Sequence, residues 1–261
     1  MIIFAALQGG IILQSTKMKR IFLLITTFVA LGATAQTTET KKKDWSKIDL
    51  SGRSKDHFMI QYGSDSWTNR PDSVRTGNGF SRHFNFYVMF DKPFKNNKKF
   101  SLSYGAGIGS SNIFFDNVNV NIKSTALRLP FTIADSINHF DKFKVTNISL
   151  EIPVELRYYT NPENPAKSWK FAIGAKVGTL LRAHTKGKNL VDRNNQTVYG
   201  NSYVQKEVTK KYFNGTSLAI TGRVGYGIIG LQGSYYISSV LKDGAGPSMN
   251  RFSLGISISG L

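Results

Sequence analysis

The chain has 261 residues and is 41% hydrophobic, with no cysteine and with 24 glycines, 18 phenylalanines and 11 tyrosines. The lack of cysteine excludes disulfide bracing, thiol nucleophiles and cysteine-ligated zinc, and the aromatic content excludes a disordered chain. A formal charge of +18 is compatible with nucleic acid, anionic lipid or acidic partners, but the sequence carries no recognisable nucleic-acid-binding module and no run of roughly 20 apolar residues to cross a membrane as a helix.

The first 35 residues have the parts of an export signal in order. Lys17, Lys19 and Arg20 supply a basic start, Ile21 to Gly32 an apolar stretch, and Ala33-Thr34-Ala35 a small-x-small cleavage site. Gln36 is the expected mature N-terminus and Met18 the expected true start. Without cysteine there is no lipobox, so the product is not expected to be a lipoprotein. Residues 36–56 are polar and lysine-rich without a sustained period, which predicts a flexible periplasmic leader ahead of a barrel domain spanning 57–261.

From residue 57 the pattern has period two, the mark of strands with one apolar face. The clearest segment is Ile148 to Tyr159. Ile148, Leu150, Ile152, Val154, Leu156 and Tyr158 share one face; Ser149, Glu151, Pro153, Glu155, Arg157 and Tyr159 share the other. A helix would scatter those charges around its circumference. The same alternation predicts eight strands near 57–67, 80–91, 99–114, 144–160, 168–184, 212–227, 229–241 and 249–261. Most have the length needed to cross a bilayer at a tilt, longer than the usual soluble strand. Short connections alternate with long ones, about 68–79, 115–143, 185–211 and 242–248, as expected for periplasmic turns and external loops.

An open sheet edge has no water to satisfy it in lipid, so such a sheet must close. The expected fold is all-β: an eight-stranded antiparallel up-and-down transmembrane β-barrel in the outer membrane, its apolar face turned to lipid. Periodicity alone fits a soluble inside-out counterpart equally well. Two features favour lipid. Glycine, serine and long charged side chains on the polar face suit a narrow lumen, and Trp67, Tyr158, Trp169, Tyr226 and Phe252 near strand ends suit interfacial girdles.

The alternating segment Leu150-Glu151-Ile152-Pro153-Val154-Glu155-Leu156-Arg157-Tyr158-Tyr159, the glycine-rich strand from Trp169 to Gly178 and the signal ending in Ala-Gln resemble the PorT-like outer-membrane barrel family over residues 57–261. The resemblance implies an outer-membrane barrel, and one member's link to type nine secretion implies a secretion-accessory role. One departure is the end of the chain, Leu261, where barrel assembly signals commonly place an aromatic residue; Phe252, Ile256 and Ile258 would then carry that recognition.

Catalytic chemistry has little support. Glu151 and Glu155 lie about 13 Å apart on one strand face, too far for a carboxylate pair. Together with Arg157, Lys176, Arg223 and Arg251 they are expected to form a lumenal charge network, since buried charges must be paired. His57, His83, His139 and His184 show no metal-ligand spacing. His184 at an outer rim lacks a nucleophile-elbow motif, and the Gly105–Gly109 glycines lack the helix and lysine of a phosphate loop. No cofactor or metal is expected. The external loop 185–211 carries Lys186, Lys188, Arg193, Lys206, Lys210 and Lys211, a candidate contact surface for lipopolysaccharide or another polyanion. The expected role is non-enzymatic anchoring, binding or assembly and secretion assistance by a monomeric barrel, with outer-membrane lipid and secretion proteins as partners. The alternative is a barrel enzyme acting on lipid or peptide.

Overall fold

The computed structural model describes residues 58–72, 74–76, 81–133 and 138–260. The expected signal, the expected leader, His57 and Leu261 lie outside them. Among the described residues the strands are β1 (Phe58–Thr68), β2 (Arg82–Pro93), β3 (Phe100–Phe115), β4 (Val118–Val120), β5 (Phe131–Ile133), β6 (Asn138–Tyr159), β7 (Trp169–Asp192), β8 (Val204–Val208), β9 (Thr216–Tyr226), β10 (Ile229–Tyr236) and β11 (Asn250–Ser259). Eight of them form an antiparallel ring in the order β6-β3-β2-β1-β11-β10-β9-β7, closed by the β6–β7 ladder. Each barrel strand pairs with its chain neighbour, and β1 pairs with β11. This is the expected up-and-down cylinder.

Alternation follows from the strand period. Along β6, Ser149, Glu151, Pro153, Glu155, Arg157 and Tyr159 are buried, while Leu150, Ile152, Val154 and Leu156 are exposed. The outer faces of the other strands repeat the pattern with Phe84, Phe86, Phe90, Ile108, Ile173, Ile220, Leu231 and Ile256 among many exposed apolar side chains. A continuous apolar band around a whole cylinder far exceeds what a soluble monomer shows to water. Ten steps from Tyr158 to Ile148 at about 3.3 Å, on a strand tilted by about 45°, give a band about 23 Å tall, close to the ≈ 25 Å of outer-membrane barrels.

Short turns gather at one end of the ring. The β9–β10 hairpin has a two-residue loop in which Gly227 takes φ +60°, the left-handed conformation that a tight hairpin requires and glycine adopts without strain. At this end Phe100, Tyr158, Phe171, Trp169 and Tyr226 form an unbroken chain of ring contacts across β3, β6, β7 and β9, with centroids 5.0–6.5 Å apart.

Several expectations need correction at the other end. Trp67 is not a girdle residue: it faces inward, 2% exposed, with its ring edge against Phe115 at 5.5 Å. Strand β6 begins at Asn138 rather than 144, and β7 runs to Asp192 rather than 184. The segment 185–211 is therefore not one loop; its first part continues β7, and β8 pairs back onto it. Strand β10 stops at Tyr236, and Leu241 lies buried beyond it. A β-bulge at Leu181, between the pairs Ser149–Leu180 and Ile148–Arg182, shifts the phase of β7. Below it even-numbered residues such as Lys176 and Leu180 are buried; above it Arg182 is exposed and Ala183 buried.

The connections at this end fold back over the mouth. Val74 from the β1–β2 connection, Val118, Val120, Ile122 and Leu129 from a second, Tyr212 and Phe213 from a third, and Leu241, Ala245 and Met249 from a fourth pack with Ile113, Phe115, Phe143 and Val145 of the barrel wall. Loop-to-loop bonds hold the cap: Leu129 N–H donates to Ala245 O at 2.7 Å, and the Tyr212 hydroxyl lies 2.7 Å from the carbonyls of both Ser124 and Ala126.

Candidate functional site: the lumen and the outer rim

The six expected lumenal residues fall into two neighbouring clusters. In the lower one Glu155 Oε2 accepts from Arg157 Nε and from Arg223 Nη2, both at 2.9 Å, and Arg223 Nη1 donates to Ser259 Oγ at 2.9 Å. Asp91 lies 3.9 Å from Arg157 and accepts from Ser101 Oγ at 2.6 Å. In the upper cluster Glu151 lies 3.1 Å from Lys176 Nζ and 3.5 Å from Arg251 Nη2. It also accepts from the hydroxyls of Tyr87 at 2.5 Å and Tyr236 at 3.2 Å. The guanidinium of Arg251 stacks 3.6 Å from the centroid of Tyr236. Tyr87 and Tyr236 belong to this cluster and were not foreseen; their inward strand positions were the available signal.

A third group was also missed. His83 Nδ1 donates to Asp65 Oδ1 at 2.8 Å, Ser111 Oγ donates to the other oxygen of Asp65, and His83 Nε2 lies 2.7 Å from Gln232 Nε2. These are the residue types of a hydrolytic triad, but the connection is wrong for one. A triad needs the serine on the imidazole; here serine and histidine both bond the carboxylate, and glutamine occupies the second ring nitrogen. Among the described residues no group of histidine, aspartate and glutamate could hold a metal ion.

The outer rim brings together residues that the sequence had separated. Lys186 on β7 pairs laterally with Lys144 of β6 and with Lys206 of β8. One rung lower, Arg82, Asn112, Thr146, His184 and Val208 run across β2, β3, β6, β7 and β8. Lys144 Nζ donates to Asn112 Oδ1 at 2.8 Å, and the Phe114 ring has Arg82 and Lys144 at 5.6 and 5.5 Å from its centroid. Lys188 lies one rung higher, beside Lys142. Arg193 is in the β7–β8 hairpin loop. Lys210 and Lys211 lie apart from this tier: Lys211 Nζ donates to the Ser124 carbonyl at 2.9 Å and Lys210 Nζ to Leu180 O at 3.5 Å, so both brace the cap.

The rim cations depress one another. Lys144 is held below its ordinary value by partial burial and then by Lys186, Arg82 and Lys206. His184, 8% exposed, is pushed down to about 4 by burial and then by Lys206, Arg182, Lys144 and Lys186. An NMR titration of the folded barrel in detergent should find the His184 midpoint near 4 rather than 6.5. Between those values the unfolded chain binds the proton and the folded one does not, so this residue's contribution to stability falls as pH drops from about 6.5 to about 4.

A closed antiparallel cylinder with an apolar outside, a polar inside and an aromatic belt defines a transmembrane β-barrel, the arrangement found in outer membranes. The chain belongs to the outer membrane protein beta-barrel domain family, whose family model matches residues 35–238. No curated protein matches it. Similar solved structures include Ail, the attachment invasion locus protein of Yersinia pestis, in complex with the heparin analogue sucrose octasulfate (14% identity, 77% of this chain and 96% of that one, TM-score 0.33). Others are Ail in a phospholipid bilayer nanodisc (14%, 77% and 97%, TM-score 0.26) and OprG of Pseudomonas aeruginosa (11%, 80% and 97%, TM-score 0.26).

Proposed function

We propose that this outer-membrane barrel is a non-enzymatic anchor that presents its outer end to a partner. The observation that carries the reading is the filled interior. Two charge clusters, the Asp65–His83–Ser111 group and an apolar cap of folded-in connections succeed one another along the axis, with a cavity of about 40 Å³ beside Trp67, Ser149, Tyr236 and Arg251 and with strands β6, β7 and β8 raised above the band. A narrow eight-stranded barrel of this kind has little room for solutes once side chains fill it. The connectivity of Asp65, His83 and Ser111 speaks against an acyl-transfer enzyme, and His184 has no serine or cysteine nucleophile paired to it on its rung. The likeness of residues 150–159 to PorT-like barrels supports help to protein secretion as the particular task, after export by a signal cleaved before Gln36.

Reconstituted into a planar bilayer, the protein should give no steady current. A large, stable open conductance would refute the filled interior on which the anchoring role rests.

A further inference from the structure

The outer face changes character over one rung. On β6 the apolar series ends at Ile148, whose lateral partner on β7 is Arg182. Above it come Thr146 and His184, then Lys144, Lys186 and Lys206 side by side on three strands. Among the described residues no carboxylate lies within ion-pair distance of Lys144, Lys186 or Lys206. The nearby acidic residue of β8, Glu207, pairs with Thr185 and so has the opposite parity, on the face turned towards the cap. Three lysines in lateral contact repel one another. His184 beside them is buried with its Nδ1 lacking a hydrogen-bond partner, and the surrounding cations favour its neutral ring. A surface of this kind is incomplete without an anion.

Its height identifies the anion. Lys144 stands four residues beyond Ile148, about 13 Å along the strand and about 9 Å above the band at a tilt near 45°. The headgroup layer on each side of a bilayer is about 5–7 Å deep, and a lysine side chain reaches several ångströms along an apolar wall to place its ammonium in that layer. The short turns, the start of β1 and the end of β11 lie at the opposite rim, which makes the lysine rim the external one. The polar boundary there is that of the outer leaflet, whose distinctive anions are the phosphates of its glycolipid. The bulge at Leu181 makes the patch possible: without the extra residue Lys186 would point inward with Lys176. Bulges are known to re-aim side chains in this way.

We infer that Arg182, Lys144, Lys186 and Lys206 form an outward-facing site for the phosphate groups of lipopolysaccharide on the β6–β7–β8 wall. The inference rests on the anchored outer-membrane reading and names the lipid contact of that same outer end.

The test uses the full-length mature barrel refolded in neutral detergent, with the heat-dependent gel shift of a folded barrel as the control for structure. Three lipids are compared by native mass spectrometry and by titration: bis-phosphorylated lipid A, its dephosphorylated form and phosphatidylglycerol. The wild type should retain bis-phosphorylated lipid A at least ten-fold better than either of the others. The triple variant Lys144→Gln, Lys186→Gln, Lys206→Gln should bind it about 100-fold more weakly, about five-fold for each lysine. The arginine triple variant at the same positions should retain binding. Binding should also raise the His184 midpoint in the wild type, because phosphate offsets the surrounding positive charge. Equal affinity for dephosphorylated lipid A or for phosphatidylglycerol overturns the site, as does an unaffected glutamine triple variant that remains folded. A chain that stays folded and monomeric without amphiphile would instead remove the membrane reading itself.

Discussion

Glu155→Ala is expected to cost the folded barrel about 3–5 kcal/mol in a reversible urea titration in detergent or lipid, the cost of removing one member of a buried ion pair. The reason is asymmetry. Glu155 is the shared acceptor of Arg157 and Arg223, and their side chains are 2% and 7% exposed. Removing the carboxylate takes the shared counter-charge from two guanidinium groups in a narrow interior where little water can reach them; Arg157 keeps Asp91 at 3.9 Å and Arg223 keeps the Ser259 hydroxyl, but the short charged contacts are lost and the mutual repulsion of the guanidinium groups is no longer offset. Glu155→Gln should lie between the variant and the wild type, since the amide oxygen still accepts a hydrogen bond but offsets no charge. Glu163, in the exposed turn between β6 and β7, is the control; its alanine variant should stay within about 0.5 kcal/mol of the parent. A Glu155→Ala loss no larger than the control would mean that the lumen is wet and that the two arginines are solvated.

The second large effect concerns space rather than charge. Gly107 on β3 lies between Tyr87 of β2 and Glu151 of β6. A Cβ built there would collide with the Phe86 carbonyl and stand 2.6 Å from both Cα and Cδ1 of Tyr87. The Tyr87 ring cannot simply swing away, because its hydroxyl is bound to Glu151 and its side chain is almost fully buried. Gly107→Val should therefore destabilise the barrel by about 3 kcal/mol or more, at the upper end of overpacking costs, and reduce the yield of the heat-modifiable folded form. Gly222 on β9 is a strand glycine where a Cβ would meet nothing within 4 Å. Gly222→Ala should be close to neutral, so a loss at both positions would point to backbone effects of replacing strand glycines rather than to crowding at Tyr87.

The rim shows where a linear reading stops. The basic residues after residue 185 were visible as a group, but grouping by proximity in sequence joined the wrong partners. Lys186 and Lys206 do come together, through the β7–β8 hairpin. Lys210 and Lys211 depart to brace the cap, and the patch gains Lys144 and Arg182, which the sequence had assigned to strands. Lys144 is 42 positions from Lys186 and becomes its neighbour only through ladder register. The Asp65–His83–Ser111 group was illegible for the same reason: its members come from three strands, and no spacing rule connects them.

Strand alternation is local, so the sequence by itself determined the number of barrel strands, their pairing in chain order and which residues of β6 share a face. Each side chain's face follows from counting by two within an unbroken ladder, and the short turns at one end follow from counting between strands, whereas the long connections did not. Tertiary structure decided what counting cannot reach: that the apolar face is the outer one, that Trp67 turns inward, and that β6 and β7 continue beyond the band. It also decided that four connections fill the mouth. These depend on closure of the ring and on contacts between distant segments, and a single bulge at Leu181 is enough to reverse the phase of all that follows it on β7.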